Sequence, residues 1–255
     1  MAITMSMPGY ARFRVNGARG LVVESCKSIL ESILSTETLY EYARRQPDAR
    51  QFRGRAIAYG ITLGDGCGSV VVRHAMRGGL LGRTGSDLFL PPTRALREVM
   101  NSLRLKLSNV PTPDVIAFAS YPAGQILRRS DVATREIPES HDLSVVLREV
   151  TDKNHRQSCL RAAGRLLSLL AAAGAHHPDL NARNILVSWD STEGAKAFVL
   201  DVDRIRFHVS GDPMVSSANL SRLERSLAKL RERENLDVSD DDIATLRDSA
   251  ADKLR

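Results

Sequence analysis

The stretch His177-Pro178-Asp179-Leu180-Asn181-Ala182-Arg183-Asn184 decides the fold of this 255-residue chain. It follows an apolar segment of helical spacing that ends at Gly174, a residue type common just beyond a helix C-terminus. Two short apolar runs come after it, Ile185-Leu186-Val187 and Ala197-Phe198-Val199-Leu200, and Asp201 follows directly. The pattern predicts a polar loop between a helix and a β-hairpin, with a carboxylate where the hairpin ends.

The residue types in this loop are those that phosphoryl transfer requires. That chemistry needs a carboxylate to orient the attacking hydroxyl, oxygen ligands for Mg²⁺, and a cation on the nucleotide phosphates. Protein kinases place the first two as His-x-Asp-Leu-x-x-x-Asn, followed by Asp-Phe-Gly after a short hairpin. The chain matches the fixed positions with His177, Asp179, Leu180 and Asn184, and Pro178 replaces the arginine. Taken singly, Asp179 and Asn184 are also explained as turn residues, but the joint pattern favours a kinase site.

The same residues carry a more specific resemblance. Residues 177–187, followed by 199–204, resemble the lipopolysaccharide core kinases, and within them the 3-deoxy-D-manno-octulosonic acid (Kdo) kinases. Stretches 72–80, 93–98 and 219–227 support the resemblance, which runs from about residue 54 to residue 229.

The resemblance implies an α+β fold, namely a bilobal protein-kinase-like fold with a small N-terminal antiparallel sheet lobe and a mainly helical C-terminal lobe. We expect the first lobe at residues 1–120 and the second, with the catalytic loop and metal site, at 121–255, together forming one kinase-like domain. The implied activity is phosphorylation of a Kdo hydroxyl on a lipid A precursor, with ATP and Mg²⁺, in lipopolysaccharide core biosynthesis. By the same resemblance Asp179 is the catalytic base, Asn184 and Asp201 hold the metal, and Glu98 is the helix acid that pairs with a strand cation.

The strand cation is where the chain departs from protein kinases. No lysine occurs between Lys27 and Lys106, so the usual strand lysine has no counterpart. Arg73 stands at that position, at the end of a predicted strand, and an arginine can hold phosphate bidentately. The alternative interpretation is a surface strand residue. Gly54 and Arg55, which precede the hairpin, are the candidates for the segment that covers the phosphates.

The first half of the chain is predicted to be rich in hairpins. Residues 9–23 favour a hairpin that turns at Asn16-Gly17, and residues 25–45 have helical spacing. A second hairpin is predicted over 56–73 and a strand over 115–119, after which we expect a mainly helical half.

Positive charge is concentrated in the first half. The formal net charge is +6, whereas residues 42–106 contain twelve basic and four acidic side chains. Such a field suits phosphorylated ligands, nucleic acid or an anionic membrane surface. No nucleic-acid-binding motif is present, so a nucleic-acid partner is not expected. Arg77, Arg83, Arg128 and Arg129 are candidates for contact with an anionic glycolipid.

The sequence also bears on cellular location. The longest apolar stretch, 166–175, is too short to span a bilayer, and no signal peptide is evident. We therefore expect a cytoplasmic protein, peripheral on the inner face of the inner membrane, with a lipid-linked Kdo acceptor. The three cysteines form no C-x-x-C pattern, which predicts reduced thiols.

Two alternatives stay open. A kinase of the same fold acting on another sugar, a small molecule or a protein hydroxyl would share the loop. A nucleotide-binding pseudokinase is the other, because the strand lysine and the glycine expected after residue 202 are both missing. The sequence does not determine the oligomeric state.

Overall fold

The computed structural model of the protein describes residues 8–53, 57–64, 66–76, 87–91, 94–192 and 194–252, the side chains of Arg53 and Arg94 excepted. It divides into two compact units. The first consists of Met1–Val99 with Asp114–Glu136, and the second of Met100–Pro113 with Ile137–Arg255. The first is rich in antiparallel strands and the second is mainly helical, which confirms the predicted α+β class.

The first unit is built on one antiparallel sheet, which has seven strands among the described residues, in the order β1-β2-β6-β7-β5-β4-β3. The strands are β1 (Tyr10–Val15), β2 (Ala18–Val23), β3 (Arg50–Arg53), β4 (Ile57–Leu63), β5 (Gly68–His74), β6 (Val115–Ala123) and β7 (Leu127–Arg135). Helices α1 (Lys27–Leu34) and α2 (Leu39–Arg45) follow β2, and α3 (Arg94–Leu107) begins in this unit. Alternate strand residues such as Val70 and Val72 are fully buried, and the sheet and the first two helices share one apolar core.

Both hairpins predicted in the first half of the chain are confirmed. Strands β1 and β2 pair from Tyr10↔Val23 to Val15↔Ala18. The two turn residues, Asn16 and Gly17, both have positive φ, as a two-residue hairpin turn requires. Strands β4 and β5 pair antiparallel as far as Leu63↔Gly68.

Strand β7 is the main departure from the predicted layout. No strand is predicted at Leu127–Arg135 because the segment is polar and lacks an apolar alternation. It is nonetheless internal to the sheet, between β6 and β5, and its Ser130 and Asp131 are fully buried. The first unit therefore extends to Glu136, and the expected boundary at residue 120 falls inside β6. The reason is that β6 and β7 pair with each other inside this one sheet, so both belong to the first unit.

The prediction of three reduced cysteines is wrong for two of them. Cys26 and Cys67 are both buried in the first unit and form a disulfide, with their Cα atoms 5.5 Å apart. The two residues are 41 positions apart in the sequence, and only the tertiary fold of the first unit brings them together. Cys159 is a free thiol, and burial raises its pKa to about 11.

The second unit packs helices around two small sheets. Its elements are β8 (Ser140–Asp142), α4 (Leu143–Glu149), α5 (Lys153–Ala172), β9 (Ala175–His176), β10 (Ile185–Asp190), β11 (Gly194–Val199), β12 (Arg206–Phe207), α6 (Pro213–Glu234) and α7 (Asp240–Ala251). Strands β11, β10 and β8 form one antiparallel sheet, and β12 pairs with β9.

Helix α5 is the centre of this unit. Leu160, Leu166 and Leu170 are fully buried on it. A Cβ at Gly164 would lie 2.7 Å from the carbonyl oxygen of Leu246, so α7 can approach closely only because that residue is glycine. Gly174 ends the helix with a φ of +65°, as predicted. The segment that follows α5 is thereby directed into β9 and the polar loop.

Candidate functional site

The polar loop is anchored by a buried histidine. His177 is fully buried, its Nδ1 accepts the Asp179 amide hydrogen at 3.2 Å, and its Nε2 donates to the Leu200 carbonyl oxygen at 3.0 Å. These two bonds require the proton on Nε2 of a neutral ring. Burial lowers the pKa of His177, in agreement with that form. His177 thus fixes the backbone of the loop against the strand end that leads to Asp201.

One face of helix α6 holds the same loop from the other side. Asn219 is fully buried, and its Oδ1 accepts the His177 amide hydrogen at 3.0 Å while its Nδ2 donates to the Ala175 carbonyl oxygen at 2.9 Å. Seven residues further along, Ser226 Oγ accepts the Ala182 amide hydrogen at 3.2 Å. Residues spaced by seven lie on one helix face, so this face of α6 binds the loop both before and after Asp179. Residues 219–227 carry part of the family resemblance, but the sequence does not indicate that they bind the loop.

Two arginines that the sequence analysis did not select bind the carboxylate of Asp179. Arg222, on the same face of α6, donates from Nη2 to Oδ1 at 3.0 Å. Arg204, in the short 3₁₀ helix Val202–Arg204, donates from Nη1 to Oδ2. The Asp179 side chain is 27% exposed. The predicted base is therefore an accessible carboxylate whose two oxygens each face a guanidinium group.

Asn184 and Asp201 are brought together by the β10–β11 hairpin. The hairpin begins with the pair Ile185↔Val199, and the Leu200 amide hydrogen binds the Asn184 carbonyl oxygen at 2.9 Å. Asn184 Nδ2 donates to the Asp179 carbonyl oxygen at 2.9 Å, so its Oδ1 is the amide atom not used in that bond. Asp179, Asn184 and Asp201 thus belong to one continuous loop-and-hairpin structure in the second unit, as the spacing predicted.

Asp201 has an unusual backbone conformation. Its φ is +53°, a left-handed value that non-glycine residues rarely adopt, although aspartate is among the side chains that tolerate it. It precedes the 3₁₀ helix Val202–Arg204, whose Val202 carbonyl accepts a hydrogen bond from Asn101 Nδ2 at 2.7 Å. A residue held in this region costs about 1–3 kcal/mol and persists only where its surroundings impose it.

The donor set suits a hard divalent cation. The Asn184 amide and the Asp201 carboxylate offer oxygen atoms, which Mg²⁺ prefers, and Mg²⁺ commonly uses one or two protein ligands together with phosphate oxygens and water. Among the described residues, no group of three or more His, Cys, Asp and Glu side chains could hold a metal by itself. The oxygen atoms of Asn184 and Asp201 thus fit Mg²⁺ as two of its ligands.

The first unit contains the predicted cation. Arg73, near the end of β5, donates from Nη2 to the Oε1 of Glu98 on α3, and the two side chains are 32% and 15% exposed. The pairing that the family resemblance implied between these two residues is present. Gly54 and Arg55 lie outside the described residues, as do Arg77 and Arg83.

A second charged pair, which the sequence did not reveal, lies next to Arg73. The fully buried carboxylate of Asp131 binds Nδ1 of His74 at 2.6 Å and accepts the Tyr40 amide hydrogen at 2.9 Å. The hydrogen bond to Asp131 raises the pKa of His74, against the opposing effect of burial. The pair connects β5 and β7 to the start of α2 and stabilises the strand that carries Arg73.

In the part of the chain that the structure describes, no helix combines the length and the apolar character needed to cross a bilayer.

Comparison with known proteins identifies a family and several relatives. Residues 49–249 match the family described as "Lipopolysaccharide kinase (Kdo/WaaP) family". The chain is 32% identical over 201 residues to "3-deoxy-D-manno-octulosonic acid kinase" of Haemophilus influenzae (strain PittEE), which covers 76% of this chain and 80% of the relative. It is 30% identical over 179 residues to the protein of that name from Vibrio parahaemolyticus serotype O3:K6, which covers 69% of this chain and 71% of the relative.

A solved structure shares the fold. The structure titled "WaaP in complex with acyl carrier protein" matches with a TM-score of 0.56 and 18% identity, and it covers 91% of this chain and 88% of that chain. At that identity the likeness concerns the fold alone. It confirms the fold that the family resemblance implied.

Proposed function

The chain belongs to the lipopolysaccharide kinase (Kdo/WaaP) family, and we propose that it transfers the γ-phosphoryl group of ATP to a hydroxyl of Kdo on a lipid A precursor. The family predicted from the sequence is confirmed. The observation that carries the proposal is that the family match, residues 49–249, includes the whole loop-and-hairpin structure with Asp179, Asn184 and Asp201. Relatives that bear the Kdo kinase name are 32% and 30% identical over 76% and 69% of this chain.

Asp179 is the proposed general base. Its carboxylate is accessible, and the bonds from His177 and from α6 fix the backbone around it. A carboxylate held in this way can accept the proton of an acceptor hydroxyl as the oxygen attacks phosphorus. Because the loop is fixed before substrate arrives, little ordering remains for the reaction step.

Asn184 Oδ1 and the Asp201 carboxylate are the proposed metal ligands. When bound, Mg²⁺ neutralises charge on the phosphate oxygens. The hairpin register keeps the two ligands adjacent, and the hydrogen bond from Asn184 Nδ2 to the Asp179 carbonyl ties them to the base. Nucleotide binding is therefore expected to depend on Asp201 through the metal.

Arg73 is the proposed phosphate-binding cation, oriented by Glu98. The ion pair between them is the observation in its favour, because it fixes the direction of a guanidinium group near the end of β5. We also assign Gly54 and Arg55 to the segment that covers the phosphates, on the family resemblance.

The proposed acceptor is lipid-linked, which places the protein at a membrane surface. The basic excess of residues 42–106 supports attraction to anionic lipid headgroups of the cytoplasmic face of the inner membrane, with the protein bound peripherally. No nucleic-acid partner is proposed.

The experiment that tests the activity uses the full chain with ATP, Mg²⁺ and a Kdo-bearing lipid A precursor. Mass spectrometry should show the acceptor gaining one phosphate. Asp179→Asn should lower turnover by about 10²–10⁴-fold, because it removes the base and keeps the shape, while ATP binding stays near the wild-type value. Asp248→Asn, an exposed change on α7, is the matched control and should keep full activity. The proposal would be contradicted if the acceptor stays unmodified while a relative assayed in parallel phosphorylates it. A fully active Asp179→Asn variant would contradict it as well.

A further inference from the structure

Arg222 has more hydrogen-bond donors than the fold uses. A guanidinium group carries five N–H donors. Among the described residues Arg222 makes one side-chain hydrogen bond, from Nη2 to Asp179 Oδ1, and its side chain is 43% exposed. Four donors therefore remain for a ligand that lies beside the proposed base.

The position of Arg222 is fixed by the helix that carries it. It lies between Asn219 and Ser226 on the face of α6 that binds the loop, and both of those residues are bonded to loop amides. Leu223, the next residue, is fully buried in the core of the second unit. A guanidinium group on such a support can recognise a ligand with little ordering cost.

Two guanidinium groups, from Arg204 and Arg222, face the carboxylate of Asp179. The carboxylates of Asp201 and Asp203 act on the neighbouring His177, so the place holds charges of both signs. Burial lowers the pKa of His176, and the positive charge of Arg222 contributes to that shift. Arg222 is therefore a cation with unused donors, which can attract an anionic group of the acceptor.

We propose that Arg222 binds the carboxylate of the sugar-acid acceptor and thereby positions one of its hydroxyls on Asp179. The inference rests on the proposed function, because the relatives' substrate is named as an octulosonic acid and so carries a carboxylate. Arginine can bind a carboxylate with two parallel N–H bonds, which fixes orientation as well as position. In the step itself the acceptor oxygen bonds to the γ-phosphorus, the bond from that phosphorus to the leaving ADP oxygen breaks, and the hydroxyl proton passes to Asp179. Arg222 is thus a specificity-determining residue.

The test is a cycle of two enzymes and two acceptors. Wild type and Arg222→Ala are each assayed with the Kdo-bearing acceptor and with its analogue in which the carboxyl is reduced to an alcohol. Arg222→Ala should raise KM for the acid acceptor by about 10- to 100-fold and leave KM for ATP unchanged. Reduction of the carboxyl should raise the acceptor KM of the wild type by a similar factor. It should hardly change the acceptor KM of Arg222→Ala, because the substitution and the reduction remove the same interaction.

Two further variants control the cycle. Arg225→Ala removes the same charge from an exposed position one turn further along α6 and should leave both acceptor KM values unchanged. Arg222→Lys keeps the charge without the planar fork and should recover part of the loss. It also serves as the test should Arg222→Ala fail to fold.

The outcomes separate this inference from the proposed function. A wild-type enzyme that phosphorylates neither acceptor overturns both. If the wild-type enzyme is active and the effects of Arg222→Ala and of carboxyl reduction on KM multiply independently, only the carboxylate assignment is overturned. The acceptor can also be assayed with a dephosphorylated lipid anchor. If Arg222→Ala no longer raises KM for that acceptor, the arginine binds a lipid phosphate, and the carboxylate assignment is overturned.

Discussion

Replacement of Asn219 by alanine should loosen the loop that carries Asp179. Asn219 is fully buried and makes two hydrogen bonds to loop backbone, at 3.0 Å to the His177 amide and at 2.9 Å to the Ala175 carbonyl. Alanine has neither group, so both backbone partners lose their bond in a buried place. Each buried polar group left without a partner costs about 1–3 kcal/mol, so we expect a loss of about 2–6 kcal/mol in the free energy of unfolding.

This loss is large enough to measure in two ways. For a chain of this size, 1 kcal/mol lowers the melting temperature by about 2–4 °C, so Asn219→Ala should melt at least about 4 °C below wild type. Turnover should also fall, because His177 is two residues from Asp179 and its amide is no longer held. Circular dichroism during heating and steady-state assays of phosphate transfer provide the two readings.

Ser221→Ala is the matched control for this prediction. Ser221 lies two residues away on the same helix and, within the described residues, makes no side-chain hydrogen bond. The control should melt and turn over like wild type. If Asn219→Ala melts together with the control and retains wild-type turnover, then α6 does not hold the loop in the way described.

Three further predictions concern the first unit and the membrane. Arg73→Ala should lower kcat/KM for ATP by about 10²-fold. Arg73→Lys should recover part of this loss, and Glu98→Ala should lower kcat/KM less than Arg73→Ala does. Wild-type kinetics for Arg73→Ala would exclude Arg73 as the phosphate-binding cation. The hydrogen bond to Asp131 raises the pKa of His74 in the folded protein. The pair therefore contributes its full stability at pH values below the unfolded pKa of about 6.5. This contribution is lost as the pH rises through the higher pKa of the folded state. Denaturant titrations near about pH 6 and pH 8 should therefore show that His74→Gln loses more stability at the lower pH, whereas an equal loss at both would contradict the assignment. Protein bound to anionic vesicles should be released by high salt, and retention in sedimentation assays at high salt would argue against electrostatic attachment.

The sequence by itself determined the family, the fold class and the second-unit loop. It could do so because Asp179, Asn184 and Asp201 are close along the chain and their positions relative to a helix and a hairpin are set by local patterns. The pairing of Arg73 with Glu98 was also expected, although only from the family resemblance, and the structure contains it.

Only the tertiary structure decided which distant residues meet. Arg222 is 43 positions from Asp179 and Asn219 is 42 from His177, and no periodicity links residues so far apart. Strand β7 is hidden in the sequence for a related reason. Its Asp131 is an acid in a sheet interior, and it is stabilised there by His74 and by the Tyr40 amide, groups that reach it from other elements. A buried carboxylate is tolerated only where such partners surround it, and partners of this kind exist only once the chain has folded.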